Sequence, residues 1–224
     1  MGRTRWDPGP SHPRLEAATV EVWRADLDAA DARGDGRTLL SDDERERAAR
    51  FARREDGARW ATARAVLRTL VGAYVDADPA ALRFEAGPHG KPRLAGEGRL
   101  RFNLSHSGDV ALYAFALDGE VGVDVELPRR AVDHVAIARR ILGDDEAERL
   151  AALEPQQRER EFLRAWVRWE AVLKCRGTGI GGADAPSGDP DPWVEQLDVG
   201  APAAAALAVA GGPVAVRCWR WPLA

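Results

Sequence analysis

Cysteine is scarce in this chain of 224 residues: Cys175 and Cys218 are its two. Two thiols speak against a disulfide framework and fit a reducing compartment. The opening stretch MGRTRWDPGPSHPRLEAA lacks the apolar core of a signal peptide. No segment approaches the roughly 20 apolar residues that span a membrane. A cytoplasmic protein with no membrane contact is expected. Positive charge is not in excess either. The formal net charge of -4 argues against nucleic-acid binding through a global basic field, while local basic pockets stay open. What the chain does have is apolar material, 45% of residues, enough for one large domain or two small ones around a shared core.

Periodicity gives an α+β order. ATVEVWRADL alternates Val20 and Val22 with polar neighbours and reads as a strand. The stretch from Ser41 to Val75 is helical, opened by the capping box of Ser41 and Glu44, with a break expected near Gly57. Arg59 and Arg64 lie on its second part. A β-rich centre follows. DVALYAFAL and EVGVDVEL flank Asp118-Gly119, a type I′ hairpin signal. The second of these strands sets Asp124 and Glu126 on one face. Residues 133–174 are helical again, GGADAPSGDPDP is a loop, and short strands close the chain. The Asp118-Gly119 turn is a seam, dividing the chain into 1–118 and 119–224.

Four segments carry chemistry, and each also has a plain reading. GPHGKPRL sets Lys91 between Gly90 and Pro92, in a turn suited to a phosphate or simply solvated. RFNLSHSGD sets Ser105, His106, Ser107 and Gly108 between strands, either as phosphate donors in a loop or as an ordinary turn. Adjacent Ser and His diverge along an extended backbone and no G-x-S-x-G elbow is present, which argues against a serine hydrolase. VGVDVEL offers two carboxylates to a hard divalent cation, or to solvent. FLRAWVRWEAVLK sets Glu170 and Lys174 one helical turn apart, at the edge of an apolar stripe. As a surface pair they would contribute about 0.3–0.5 kcal/mol.

In this order, GKP (90–92), NLSH (103–106), GVDVE (122–126) and WVRWEAVLK (166–174) resemble the motifs of the Sfp-type 4'-phosphopantetheinyl transferases. The resemblance runs from about Ser41 to Ile180, and the order and spacing are more specific than any single motif. It implies a fold of two similar α+β subdomains related by a pseudo-twofold, with the active site in the cleft between them. The N-terminal half would bind the nucleotide of coenzyme A, and the C-terminal half would carry metal and catalytic residues. It implies Mg2+-dependent transfer of the phosphopantetheine arm to a serine of an apo acyl, peptidyl or aryl carrier protein, releasing adenosine 3',5'-bisphosphate. Asp124, Glu126 and Glu170 match the metal carboxylates. Glu170 also matches the proposed general base. Lys174 matches the phosphate lysine. Arg47, Arg59, Lys91, Pro92, Ser105 and His106 match positions around the nucleotide end.

One position departs from the family pattern. Trp169 stands where the family usually has lysine; its place on the apolar stripe points to core packing, with contact to the carrier or the pantetheine arm as the alternative, and Arg64, Arg168 and Arg176 are the candidates to replace the lost basic contact to the phosphates. A competing reading is a binding protein that keeps the pocket without turnover; the intact carboxylates and Lys174 argue against it. A monomer is expected, with Arg139 and Arg140 as candidates for a basic carrier-docking patch.

Overall fold

A computed structural model describes residues 4–31, 36–87, 89–96, 98–129, 132–178 and 190–221. Gly179 and most of the expected GGADAPSGDPDP loop lie outside them. The strands are β1 (Asp7–Pro8), β2 (Thr19–Asp26), β3 (Phe84–Ala86), β4 (Pro92–Leu94), β5 (Leu100–Ser107), β6 (Val110–Leu117), β7 (Val121–Glu126), β8 (Trp193–Leu197), β9 (Ala204–Val209) and β10 (Ala215–Arg220). The helices are α1 (Leu27–Asp31), α2 (Asp42–Ala49), α3 (Arg54–Val75), α4 (His134–Ile141), α5 (Asp144–Ala151) and α6 (Pro155–Arg176). One sheet has the order β1-β10-β2-β6-β5, a second β7-β9-β8, and β3-β4 is a separate hairpin. The chain is thus mixed α+β. No helix among the described residues is long and apolar enough to cross a membrane.

Side-chain alternation stacks these elements in four layers. Val20 and Val22 of β2 and Leu112 and Ala114 of β6 face Val121, Val123 and Val125 of β7 and Leu207 of β9, so the two large sheets pack face to face. Trp23, Tyr113 and Phe115 point the other way, onto Ala63, Val66, Leu67 and Leu70 of α3. That is why VALYAFAL is apolar without interruption: both of its faces are buried. On the far side of the second sheet, Val167, Ala171 and Cys175 of α6 cover Ala206 and Ala208 of β9.

Two local expectations change. The helical stretch does break, but at residues 50–53, between α2 and α3. Gly57 sits inside the first turn of α3, where an added Cβ would come within 2.4 Å of the Ala48 carbonyl oxygen. It is a close-contact glycine and not a helix breaker. Asp118-Gly119 is a turn, with Asp118 at φ 64°, yet it does not close a hairpin. Here β6 pairs with β2 and β5, whereas β7 pairs with β9. The true two-residue hairpin is Gly108-Asp109, joining β5 to β6, with Gly108 at φ 58°. Turn residues specify a reversal locally; strand pairing is decided by burial of both faces.

The helix α6 lies directly on β7 at Gly122. A Cβ there would sit 2.1 Å from the Ala171 carbonyl oxygen and 2.3 Å from the Cys175 nitrogen. Both are helix backbone, which has no rotamer with which to yield. Gly122→Ala is therefore expected to lower stability by about 3 kcal/mol or more in urea unfolding. Gly98, whose Cβ would meet nothing within 4 Å, is the control. Its alanine variant should fall within about 0.5 kcal/mol of the parent. Equal stability of the two variants would contradict the close approach.

Candidate active site

The segment expected as a loop of donors is strand. Asn103, Ser105 and Ser107 all lie on β5, on the face turned to β7, and His106 points to the opposite face. They lace β5 to β7 through side chains instead of a backbone ladder. Val123 N donates to Asn103 Oδ1 at 2.9 Å. Ser105 Oγ donates to Asp124 Oδ1 at 2.7 Å. Ser107 Oγ donates to Glu126 Oε2 at 2.8 Å and accepts from Leu127 N at 3.1 Å. Asn103 and Ser107 belong to the site, and their signal is the period-two spacing Asn-x-Ser-x-Ser opposite Asp-x-Glu.

The helix α6 completes the arrangement. Lys174 Nζ donates to Asp124 Oδ1 at 2.6 Å and to Ser105 Oγ at 2.9 Å. Its partner is the strand carboxylate, not the helical neighbour Glu170 that its spacing suggested. Asp124 is 3% exposed, and its second oxygen, Oδ2, is buried with no hydrogen-bond partner. Glu126 is held by Ser107 and by Arg129 at 3.1 Å. Glu170 is half-buried on α6. Burial holds its pKa above the usual carboxylate value; Lys174 pulls it down, and the charges of Asp124 and Glu126 push it further up.

The side chains that sequence brought together fall into three places. A cleft of about 580 Å³ is lined by Arg47, Pro92, Ser105, His106 and Lys174, joined by Arg64, Trp60 and Phe84. Arg47 lies over the Trp60 ring at 5.2 Å. A neighbouring cavity of about 430 Å³ takes Arg59, beside Asp56, Gly108 and Arg129, with His106 exposed to both. Arg59 makes two bonds of 2.8 Å to Asp28. Lys91 turns away from the first cleft, donating to Glu120 at 2.6 Å and to the Val121 carbonyl at 2.9 Å. His106 is accessible on the cleft floor yet surrounded by protein; burial and then Lys174 lower its pKa, which favours the neutral ring at pH 7. Trp169 is not core. It is half-buried and tilts against Trp166, ring centroids 5.3 Å apart, outside the main clusters.

Arg64, one of the three arginines expected as replacements for the family lysine, lines the first cleft. Its Nε donates to Glu44 Oε1, and its guanidinium stacks over Phe84 at 4.3 Å. Glu44 also accepts from Arg68 Nε at 2.7 Å and caps α2 in the expected box with Ser41.

A divalent cation fits the donor set. Among the described residues no three His, Cys, Asp or Glu side chains converge as a formed metal cluster. The fit lies in the chemistry: Asp124 Oδ2 is buried and unmatched, and Glu170 is desolvated beside two further carboxylates. An unpaired buried carboxylate oxygen is costly unless something positive completes it.

Comparison with known proteins covers most of the chain. Residues 120–206 match the model of the 4'-phosphopantetheinyl transferase superfamily, and residues 36–117 match that of the 4'-phosphopantetheinyl transferase N-terminal region. The 4'-phosphopantetheinyl transferase HetI of Nostoc sp. is 36% identical over 179 residues, 78% of this chain and 76% of the relative. A putative 4'-phosphopantetheinyl transferase of Synechocystis sp. is 36% identical over 146 residues, 64% of this chain and 59% of the relative. The 4'-phosphopantetheinyl transferase AcpT of Escherichia coli is 35% identical over 133 residues, covering 59% and 63%.

The raised pKa of Glu170 has a consequence for the metal-free protein. A carboxylate whose folded pKa lies above its unfolded value of 4.5 costs stability when ionised, and costs nothing once both states are protonated. Glu170→Gln should raise the melting temperature at pH 7 in the presence of a chelator. That gain should shrink as pH falls through the folded pKa and vanish below the unfolded one. A gain that is flat with pH, or a loss at pH 7, would contradict the assigned electrostatics.

Proposed function

The chain belongs to the 4'-phosphopantetheinyl transferase superfamily, whose members move the phosphopantetheine group of coenzyme A to carrier proteins, and we propose that it makes this transfer with Mg2+ held by Asp124, Glu126 and Glu170. It is a transferase. The observation that carries the metal assignment is the unmatched, buried Asp124 Oδ2. When bound, the cation would neutralise charge on the pyrophosphate as its anhydride bond breaks.

The chain's own residues supply the rest. The coenzyme A nucleotide end lies along the cleft of Arg47, Pro92, Ser105 and His106, with Arg59 in the neighbouring cavity; Lys91 faces away from both, bonded to Glu120, and would have to leave that partner to reach it. Lys174, already 2.9 Å from Ser105 Oγ and 2.6 Å from Asp124 Oδ1, offers its ammonium to the phosphate oxygens of the leaving group. Glu170 takes the proton of the carrier serine hydroxyl, directly or through water. The serine oxygen forms the new bond to the phosphopantetheine phosphorus. The bond from that phosphorus to the bridging oxygen breaks, and adenosine 3',5'-bisphosphate departs.

The reading includes two halves, 1–118 and 119–224, related by a pseudo-twofold, acting as a monomer in the cytoplasm. Its support is the matching order of elements: β2, α3, β5 and β6 with sheet order β2-β6-β5, then β7, α6, β8 and β9 with order β7-β9-β8. The last strand, β10, returns to the first sheet, parallel to β2. Arg139 and Arg140 are exposed on α4 and remain the proposed carrier-docking patch, although Arg139 also pairs with Asp144 at 3.2 Å.

Incubation with coenzyme A, Mg2+ and a panel of apo carrier proteins should add the mass of one phosphopantetheine arm to at least one carrier. Asp124→Ala and Lys174→Met should each lower the rate by roughly 10²–10³-fold, the effect of losing one group that stabilises developing charge. No mass gain on any carrier, or an Asp124→Ala enzyme as fast as the parent, would overturn the reading.

A further inference from the structure

The ammonium of Lys91 is engaged away from the cleft. Such a group carries three donors, and three acceptors surround this one: Glu120 Oε2 at 2.6 Å, the Val121 carbonyl at 2.9 Å and the Cys175 carbonyl at 3.4 Å. The side chain is 17% exposed, and Glu120 balances its charge. Arg101 backs the same carboxylate, with its Nε 3.3 Å from Oε1. Lys91 lines neither of the cavities to which His106 opens. To turn toward them it would give up its bonds to a carboxylate and two backbone carbonyls.

The three acceptors lie at one junction. Glu120 and Val121 stand at the start of β7, and Cys175 is in the last turn of α6. The final carbonyls of a helix lack partners within it and carry its negative end, so a cation is favoured there. Cys175 Sγ adds a second tie, donating to the Glu120 carbonyl at 3.2 Å. The base of the lysine is stiff. Lys91 sits in the β3–β4 turn, where Gly87 N donates to its carbonyl at 2.8 Å and Pro92 follows it. One residue before Cys175 on α6 is Lys174, which holds Asp124 and Ser105. Gly122 sets the height of this turn above β7, since a Cβ there would meet the Cys175 nitrogen. Contact of that kind does not stop a helix from sliding along its axis; a tie at its end does.

Resting on the transferase reading, we infer that Lys91 is a positioning residue and not a nucleotide contact: it ties the last turn of α6 to the start of β7 and to the β3–β4 hairpin, and thereby holds Lys174 against Asp124. The tie joins elements from both sides of the Asp118-Gly119 turn. Lys174 meets a buried carboxylate and a hydroxyl at once, so a small shift of its backbone loses one contact or the other.

Lys91→Met, which keeps an unbranched side chain and loses its donors, is the test. It is assayed with coenzyme A and an accepted carrier at a temperature where parent and variant are both folded. Its kcat should fall about tenfold, the scale of a modest misplacement. KM for coenzyme A, and calorimetric affinity for adenosine 3',5'-bisphosphate, should stay within about twofold of the parent. In a Lys174→Met background the same substitution should change kcat by less than about twofold, because the residue it acts through is gone. Hydrogen exchange in the last turn of α6 should quicken. Lys91→Gln keeps an amide donor and should lose about threefold in kcat; it serves if the methionine variant does not fold. Bisphosphate binding weakened about tenfold or more would make Lys91 a nucleotide contact and overturn the assignment. An unchanged kcat, or equal losses with and without Lys174, would overturn it too. If no carrier gains mass with the parent, the transferase reading fails, and the tie is judged by exchange: faster exchange in the last turn of Lys91→Met supports it, and an unchanged rate overturns it.

Discussion

The site depends on one triangle of contacts: Ser105 Oγ, Asp124 Oδ1 and Lys174 Nζ, each within 2.9 Å of the next. Its corners come from β5, β7 and α6, which belong to both large sheets and to the helix that covers the second. A 3% exposed aspartate is tolerable because two donors meet one of its oxygens. The other oxygen stays unmatched, and there the fold gives up stability for chemistry. Glu170 repeats the compromise, desolvated next to like charges.

The scaffold explains how the corners are held. β7 turns its valines to the inter-sheet core, so Gly122, Asp124 and Glu126 must face α6. Gly122 lets the helix backbone down onto the strand, which brings Lys174 within reach of Asp124. β5 closes the third side through Asn103, Ser105 and Ser107 instead of a backbone ladder. A helix kept at a greater distance by a side chain at 122 would separate the lysine from both partners.

Much of this was legible because it is local. The capping box of Ser41 and Glu44 follows from four residues, and the shared face of Asp124 and Glu126 from a period of two. The misreadings have a common cause in long-range pairing. Ser105 to Ser107 looked like part of a loop because their composition is that of a turn; they are strand because β6 pairs with their backbone and β7 residues 19 positions away satisfy the two serine hydroxyls. Asp118-Gly119 has hairpin chemistry, but a strand apolar on both faces was drawn between two others. Trp169 fitted the helical stripe, yet the stripe outruns the core and leaves it against Trp166. Arg64 showed as one of three candidate replacements for the missing lysine, and nothing singled it out, because its partner Glu44 lies 20 residues earlier and its cleft is made by the fold.

The central claim is that Asp124, Glu126 and Glu170 hold one divalent cation. Titration of the protein with Mn2+, read by electron paramagnetic resonance of the free ion, tests it without any transfer assay. The parent should take up one equivalent that Mg2+ displaces, and Asp124→Asn, which keeps a side chain of the same size at that site, should take up none at the same concentrations. Equal uptake by the two proteins, or none by the parent with coenzyme A present, would contradict it.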